Sequence, residues 1–412
     1  MKTELVQTPL SAMTFNQQWL STHARPLVVH DSDPVVSLNL TGWASKPHVS
    51  AYYNATGVAP WNPHRMKEAE KWLLRQKGTK GKAVMVDGWR ALDLRVPGAR
   101  QWWLYGGDGK ATCNPERELR AALDLFACGY TSLWLDNALT TPTQGFTPTP
   151  KIPAKAWATG VLTVLKQLRA LKPAGTTFTI NMHWTDTDYG YASKPKLKSS
   201  AGSIRAAKFA DQVVIEGGAI DPGLHYALAA KAPWSYRRLL NFADGMHKQR
   251  IKLQWEKTGS ADLTRTRSPL RGSPKLPAIP SCRDGDLAKP WVLGDNAWKA
   301  HVRSAAFNYA TALLTFTTGD AIGDMCEYPG RGWRGYEADL GDPAGKRYES
   351  GGVIARQFTG GVVAVNSSDK ALTFTVPSGR SGVDLASLTW PQSNAAVKAV
   401  KLAPRTAAVI KY

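Results

Sequence analysis

Acidic and amide side chains follow several short apolar runs of the chain. In chain order these polar positions are Asn54, Asp87, Asp136 with Asn137, Asn181 with His183, Glu216 and Glu256. In the stretch GYTSLWLDNAL, residues 129–139, the apolar run ends on a bare carboxylate, Asp136. A charge within a covered strand is costly to desolvate, whereas the carboxyl end of a parallel strand is where α/β proteins bind ligands. Two carboxyl groups with amides between them suit glycosidic bond cleavage: one protonates the leaving oxygen, and the other attacks or stabilises the oxocarbenium-like centre.

Each carboxylate also has a structural interpretation. Asp136 could cap the turn that follows it, and Asp87, in VDGWR, could be a turn residue. Glu216 precedes two glycines, which let a backbone or a ligand approach closely. Glu256, next to Lys257, could be a solvated or ion-paired charge.

The remaining candidates are sugar ligands. The residues that could bind sugar hydroxyls are Tyr52, Asp87, Asn137, Asn181, His183 and Glu256. Asn181 and His183 could equally satisfy hydrogen bonds of a loop. No second His or Cys stands at a metal-ligand spacing from His183, so we expect no metal site and no cofactor.

Strand-like and helix-like segments alternate over residues 26–345. The predicted strands are residues 35–40, 49–54, 82–88, 101–106, 132–137, 177–182, 212–218, 251–256 and 313–316. The predicted helices are residues 64–77, 115–128, 155–171, 235–247 and 297–312. Such alternation predicts parallel βα units, and about eight of them fit, which favours a (β/α)8 TIM barrel.

The pattern changes after residue 345. Short β-branched runs separated by Gly, Pro, Ser and Asn predict a small all-β domain of the β-sandwich kind over residues 346–412. The predicted organisation is an N-terminal extension (1–25), a catalytic barrel (26–345) and this C-terminal domain. Residues 258–290, rich in Pro, Ser, Gly and Arg, predict a long loop over the carboxyl face of the barrel, where it would attract an anionic glycan.

Composition restricts the partners. The 52 Lys and Arg residues exceed the 32 Asp and Glu residues, for a net charge of +20, but the positive residues are scattered. We therefore expect attraction to anionic polymers and, in the absence of a recognition motif, no nucleic-acid partner. The four cysteines have no metal spacing, and we expect free, mostly buried thiols.

A family resemblance becomes visible in the order of these segments. NPERELRAALDLFACGYTSLWLDN, FTINM, VVIEGG and YEADLGDPAGKRYESGGVIARQFTGGVVAVNSS follow one another in residues 80–412. This order resembles glycosyl hydrolases of barrel fold related to the α-galactosidase superfamily, which join a barrel to a small β domain. The resemblance implies Asp136 as the nucleophile at the end of the fourth strand and Glu216 as the acid/base at the end of the sixth. The superfamily's acid/base is an Asp, so its anomeric preference does not carry over.

The expected activity is hydrolysis of O-glycosidic bonds in a polysaccharide, such as a host cell-wall glycan, by a retaining two-carboxylate mechanism. The alternative is an inactive barrel that serves as a carbohydrate-binding or structural component of a phage tail. The N-terminus lacks the apolar core of a signal peptide, and no window approaches the ~18 apolar residues of a membrane span. We therefore expect a virion-associated protein with tail proteins as partners, or a cytoplasmic one.

Overall fold

The computed structural model describes residues 3–5, 24–29, 49–60, 62–76, 81–107, 109–113, 121–142, 145–182, 201–220, 235–257, 296–324, 333–387 and 394–412. The predicted strand 35–40, the start of the predicted helix 115–128, His183 and the loop 258–290 lie outside these residues.

The described strands are short, belong to four sheets and are numbered in chain order. They are β1 (Thr3–Leu5), β2 (Ala24–Val29), β3 (Val49–Asn54), β4 (Gly57–Val58), β5 (Met85–Val86), β6 (Trp89–Ala91), β7 (Ser132–Asp136), β8 (Phe146–Thr147), β9 (Thr177–Asn181), β10 (Gln212–Ile215), β11 (Lys252–Lys257), β12 (Ala321–Asp324), β13 (Tyr348–Ser350), β14 (Val353–Phe358), β15 (Gly361–Asn366), β16 (Leu372–Thr375), β17 (Gly382–Asp384), β18 (Ala396–Val397), β19 (Ala399–Leu402) and β20 (Thr406–Lys411).

In chain order, the described α-helices lie between the parallel strands. They are α1 (Pro63–Ala69), α2 (Pro97–Tyr105), α3 (Ala122–Ala127), α4 (Ala154–Leu171), α5 (Ala201–Ala207), α6 (Tyr236–Lys248) and α7 (Asn296–Thr315). Single 3-10 turns occupy Glu70–Trp72, Gly218–Ile220, Arg334–Glu337 and Pro377–Gly379. None of the described helices is long and apolar enough to cross a bilayer.

The chain divides into two compact units. The Asp136 unit comprises residues 4–215 and 248–253, and the C-terminal unit comprises residues 1–3, 216–247 and 254–412. The parallel strands of the Asp136 unit lie in the order β10-β9-β7-β3-β2, and a small antiparallel sheet has the order β4-β6-β5-β8. The α/β class with a parallel sheet is confirmed, whereas the domain boundaries predicted from the sequence stay a prediction.

Alternation along the parallel strands gives their sheet two different faces. One face carries Tyr53, Leu133, Leu135, Phe178 and Ile180, all of them buried. Helix α2 covers part of this face, because the Tyr53 and Trp103 rings meet edge to face with centroids 5.1 Å apart. The positions of opposite parity in β3, β7 and β9 include the polar residues at the strand ends.

The C-terminal unit contains the antiparallel sheets that the sequence predicts. A six-stranded sheet has the order β13-β14-β15-β20-β17-β18, and β16 pairs with β19 in a second sheet. Phe374 and Leu402 of the second sheet share a buried cluster with Val353, Val362 and Ile410 of the first. Two sheets therefore enclose one apolar core, as in a sandwich. Helix α7 also packs on β14, β15 and β20.

Two predicted strands are helical, and a third is mostly turn. Residues 101–105 belong to α2, where Pro97 occupies a first-turn position and Gly106 follows as the C-cap with φ of 69°. Residues 313–316 overlap the last turn of α7, a helix whose described side chains are nearly all buried, so its apolar residues are not confined to one face. In residues 82–88 only Met85–Val86 form a strand, and that strand belongs to the small antiparallel sheet.

The expectation of free thiols is wrong for one pair of cysteines. Cys113 and Cys128 form a disulfide across 15 residues, with Cα atoms 4.8 Å apart. The buried Asp124 carboxylate reinforces this link by accepting hydrogen bonds from the Thr112 and Ala121 backbone N–H groups. Residues 112–113 are thereby joined to α3, which precedes the strand ending on Asp136.

Replacing Cys113 and Cys128 together with Ser should lower the free energy of unfolding by up to about 3 kcal/mol, because the bond closes a short loop in the unfolded chain. Thermal unfolding with and without reductant measures this effect. Reductant should lower the melting temperature of the wild type to that of the double variant and leave the variant unchanged. Equal melting temperatures for oxidised wild type and variant would contradict the stabilising role.

The buried Asp384 of the C-terminal unit should make the stability of the protein depend on pH. Burial raises the pKa of this carboxyl to about 6, although the Ala386 and Val409 backbone N–H groups donate to its Oδ1. The folded state therefore holds a proton that the unfolded state releases near pH 4, so stability contributed below pH 4 is lost as the pH rises through 6. Asp384→Asn, which keeps the acceptor oxygen, should stabilise the protein at pH 7 by up to about 3 kcal/mol.

Melting temperatures between pH 4 and 7 test this expectation. The gain of the Asp384→Asn variant over the wild type should grow with pH, and Asp369→Asn, at an exposed position of the same domain, should show no such trend. A gain that does not vary with pH would exclude titration of Asp384 as its cause.

Candidate functional site

Three polar residues stand at the same edge of three neighbouring parallel strands. Asn54 on β3 is paired in register with Asp136 on β7, and Leu135 is paired with Ile180, which directly precedes Asn181 on β9. Asn54 and Asn181 are 3% and 6% exposed, whereas Asp136 is half-buried. The sequence placed these residues at strand ends, and the sheet brings them together.

The Asp136 carboxylate accepts hydrogen bonds on both oxygens. Oδ1 accepts from the Asn137 backbone N–H at 2.8 Å and from Asn181 Nδ2 at 3.0 Å. Oδ2 accepts from the Tyr52 hydroxyl at 2.6 Å and from Asn137 Nδ2 at 3.3 Å. Donors that point at a carboxylate favour its charged form over its neutral form.

Backbone contacts hold the turn after Asp136 in place. Asn137 has a left-handed φ of 54°, a conformation that Asn tolerates better than most residues. Its carbonyl oxygen accepts from the Thr56 hydroxyl at 3.0 Å, and the Ala138 N–H donates to the Asn181 carbonyl oxygen at 3.0 Å. The turn is therefore tied to both neighbouring strands.

Tryptophan side chains from two helices hold the backbone beside the site. The Trp103 indole N–H of α2 donates to the Asn54 carbonyl oxygen at 3.0 Å. The Trp157 indole N–H of α4 donates to the Leu139 carbonyl oxygen at 2.9 Å. Both indoles are completely buried, so these hydrogen bonds are shielded from water. They connect the strand ends to the helical layer.

Tyr52 lies between the carboxylate and two aromatic rings. Its ring stacks on Trp134 with centroids 5.5 Å apart and lies 5.9 Å from Trp89 at a tilt of 38°. Burial, followed by the charge of Asp136 and the hydrogen bond to it, raises the pKa of Tyr52 far above its ordinary value. The hydroxyl therefore stays protonated and acts as a donor.

Asp87 lies at the tip of the hairpin between β5 and β6, not at the end of a parallel strand. Asp87 and Gly88 both have positive φ, 44° and 80°, as a two-residue hairpin turn requires. Asp87 is exposed, and its charge contributes to raising the pKa of Tyr52. The hairpin thus brings Asp87 and the half-buried Trp89 towards Tyr52.

Glu216 follows directly after β10 and begins the C-terminal unit. Its side chain is exposed. The turn that carries it is fixed by the buried Asn308, whose Oδ1 accepts from the Ala219 N–H at 2.8 Å. A Cβ on Gly218 would lie 2.0 Å from that same oxygen, so the second glycine is required by this close approach. The pairing of Glu216 with Asp136 stays a prediction.

The other predicted ligands are not part of the described cluster. Glu256 is on β11, in register with Gly323 of β12, and its side chain is not described. His183 follows Met182, the last described residue after β9. Within the described ranges, no three His, Cys, Asp or Glu side chains come close enough to hold a metal ion.

Sequence reasoning missed Trp89 as a neighbour of the site. The reason is that residues 82–88 were interpreted as one parallel strand. The Asp87-Gly88 pair between apolar residues is a hairpin signal, and with it the reversal at Asp87 and the return of Trp89 could have been predicted. Asn54 was recognised as a strand end, but its register with Asp136 required the sheet order.

A separate cavity of about 440 Å³ lies in the C-terminal unit, between α6 and the first strands of the sandwich. Its two arginines are paired: Arg237 with Glu349, and Arg347 with both carboxylate oxygens of Asp244 at 2.6 and 2.7 Å. These pairs join the helix to the sandwich. We interpret the cavity as part of that packing.

Comparisons with known proteins give matches among solved structures at low similarity. No protein-family model and no curated protein matches it. It is similar to the glycoside hydrolase domain of PelA from Pseudomonas aeruginosa, with a TM-score of 0.35 and 13% identity over 62% of this chain and 83% of that chain. It is also similar to the alpha-glucosyl transfer enzyme XgtA, with a TM-score of 0.48 and 10% identity over 99% of both chains. A variant of trehalulose synthase MutB in complex with Tris gives a TM-score of 0.47 and 10% identity over 100% of this chain and 98% of that chain. Because these TM-scores are low, we argue the function from the side chains of the site.

Proposed function

We propose that the protein is a glycoside hydrolase and that Asp136 is the carboxylate facing the anomeric carbon of its substrate. The observation that carries this proposal is the half-buried Asp136 carboxylate, which ends an apolar strand and accepts hydrogen bonds on both oxygens. A carboxylate held in its charged form at a ligand-binding edge can attack the anomeric carbon or stabilise an oxocarbenium-like centre.

The aromatic residues beside Asp136 suit a sugar substrate. Sugar rings present apolar faces to aromatic side chains and hydroxyl groups to amides and carboxylates. Trp89 is half-buried beside Tyr52, and Asn137 and Asp87 retain exposed surface. These three side chains are the proposed first contacts of the sugar, and the buried Asn181 is assigned chiefly to holding Asp136.

Glu216 is the proposed acid/base. Its exposed carboxyl follows a parallel strand directly, and the fixed turn at Gly218 would hold it at one position. In a retaining enzyme the two carboxyl groups lie about 5–5.5 Å apart, and in an inverting one about 6.5–9.5 Å. The proposed mechanism is the retaining one, with Glu256 and His183 as further ligands.

The finer assignments belong to the same proposal. They are a complete (β/α)8 barrel, a relation to the α-galactosidase superfamily and a polysaccharide substrate with anionic groups. The net charge of +20 supports the last of these. The Cys113–Cys128 bond favours an oxidising location, such as a virion surface in contact with a host envelope, over the cytoplasm.

One observation favours a second function, a carbohydrate-binding module without catalysis. Four donors from the described residues occupy the approximately four lone-pair sites of the Asp136 carboxylate, which is also what a purely structural carboxylate would show. The longest of the four, from Asn137 Nδ2 at 3.3 Å, is the one that a substrate would displace on the catalytic interpretation.

Asp136→Ala separates the two functions. On an activated aryl glycoside, loss of an attacking carboxylate should lower turnover by at least about 10³-fold, and added azide should restore it by taking the place of the missing nucleophile. The trapped glycosyl azide is identified by mass spectrometry. Asp211→Asn is the matched control, because Asp211 accepts a backbone N–H from Phe178 at the amino end of the same sheet.

The melting temperature accompanies these assays, because removing an acceptor from four donors is expected to cost about 1–3 kcal/mol. A folded Asp136→Ala variant with wild-type turnover would contradict the assignment. Wild-type binding to a glycan without hydrolysis of any glycan tested would favour the binding module.

Glu216→Gln should affect substrates unequally. A leaving group that departs without protonation needs no acid, so the first step on an activated aryl glycoside should survive. Cleavage of a natural cell-wall polysaccharide should fall by about 10²–10⁴-fold. The measurement compares both substrates for wild type and variant, and an equal loss on both would exclude the acid role.

A further inference from the structure

Among the hydrogen bonds that the Asp136 carboxylate accepts from described residues, the one from the Tyr52 hydroxyl is the shortest, at 2.6 Å. Asn137 belongs to the same turn as Asp136, whereas Tyr52 approaches from the neighbouring strand β3. The register pairs Tyr52 with Trp134 and Asn54 with Asp136, so the Tyr52 side chain extends along the sheet towards the strand end.

We infer that Tyr52 is a positioning residue that acts through Asp136: its hydroxyl fixes Oδ2 and stabilises the charged carboxylate, and the sugar contacts other residues. This replaces the sequence-based interpretation of Tyr52 as a sugar ligand. The catalytic consequence rests on the proposed function, whereas the effect on the carboxylate does not.

The surroundings of Tyr52 leave its hydroxyl little freedom. Trp134 is 2% exposed and packs together with Val214, and the Tyr52 ring stacks on this pair. The ring also lies 5.9 Å from Trp89 of the hairpin. Because two indoles pack near the ring, they restrict its movement while its hydroxyl donates to Asp136.

The charges near Tyr52 keep it a donor. Among the described residues, the charged groups acting on the hydroxyl are Asp136 and, more weakly, Asp87. Burial disfavours a tyrosinate most strongly, and the two acidic groups disfavour it further. The proton therefore stays on Tyr52 and is shared with Oδ2 of Asp136, which is the arrangement that most favours an ionised carboxylate.

The neighbouring residue provides a matched control. Tyr53 is buried, whereas Tyr52 is half-buried, and Tyr53 donates from its hydroxyl to the Trp103 carbonyl oxygen at 3.3 Å on the opposite face of the strand. Tyr52→Phe and Tyr53→Phe each remove one hydrogen-bonded hydroxyl from the same strand. Only the first removes a donor from Asp136.

The direct test is titration of the Asp136 carboxyl carbon in ¹³C-aspartate-labelled protein, with Asp136→Asn identifying the resonance. The midpoint should rise by about one pH unit or more in Tyr52→Phe and stay unchanged in Tyr53→Phe. Should Tyr52→Phe fail to fold, 3-fluorotyrosine at position 52, a stronger donor of nearly the same shape, should move the midpoint downward instead. An unchanged midpoint in a folded Tyr52 variant would overturn the inference.

The kinetic test uses an activated aryl glycoside. The acid limb of the kcat/KM profile should move upward in Tyr52→Phe by the same amount as the carboxyl midpoint, with KM little changed, and should not move in Tyr53→Phe. A large rise in KM with an unmoved limb would make Tyr52 a sugar ligand and overturn the inference. If the wild type cleaves no glycoside, the proposed function fails, while the carboxyl titration still decides the role of Tyr52.

Discussion

The desolvation of one carboxylate sets the requirements for the arrangement around it. Asp136 ends a strand whose other residues are buried, so its charge is stable only if nearby donors replace the water that it loses. Those donors come from β3, from β9 and from the following residue. The order β3-β7-β9, the register between these strands and the left-handed turn at Asn137 therefore serve a single electrostatic need.

The same strands must also bury their apolar face against helices. In β3, Tyr53 points towards α2 while Tyr52 reaches Asp136, so two adjacent tyrosines serve opposite layers. The Trp103 indole then binds the carbonyl oxygen of Asn54. A change in the packing of α2 would consequently shift the Asn54 backbone, which is paired in register with Asp136. The position of the site is inseparable from the core that supports it.

Much of this local structure could be predicted from the sequence, whereas little of the pairing between strands could. The bounds of β3 are those expected from VSAYYN, and α4 matches its prediction to within one residue, because both have strong periodicity. Residues 101–106 and 313–316 were wrong as strands, since a short apolar run is equally compatible with a buried helix. Polar strand ends could be recognised one at a time, whereas the contacts among Tyr52, Asp136 and Asn181 depend on which strands become neighbours. Nor did the cysteine spacing reveal the Cys113–Cys128 bond, which depends on residues 111–113 lying against α3.

The residues around Asp136 differ in exposure, and this difference separates supporting residues from those that a ligand could reach. Asn54 and Asn181 are almost completely buried, and Trp134 is 2% exposed, so a ligand could reach them only after the site had rearranged. Asp136 and Asn137 are half-buried, and the hairpin contributes the exposed Asp87 beside them. On the proposed function, a ligand arriving at the strand ends contacts the Asp136 carboxylate, which Tyr52 and Asn181 already hold by hydrogen bonds. An arrangement held in advance in this way need not reorganise when positive charge develops on the substrate, and electrostatic stabilisation is most effective under that condition.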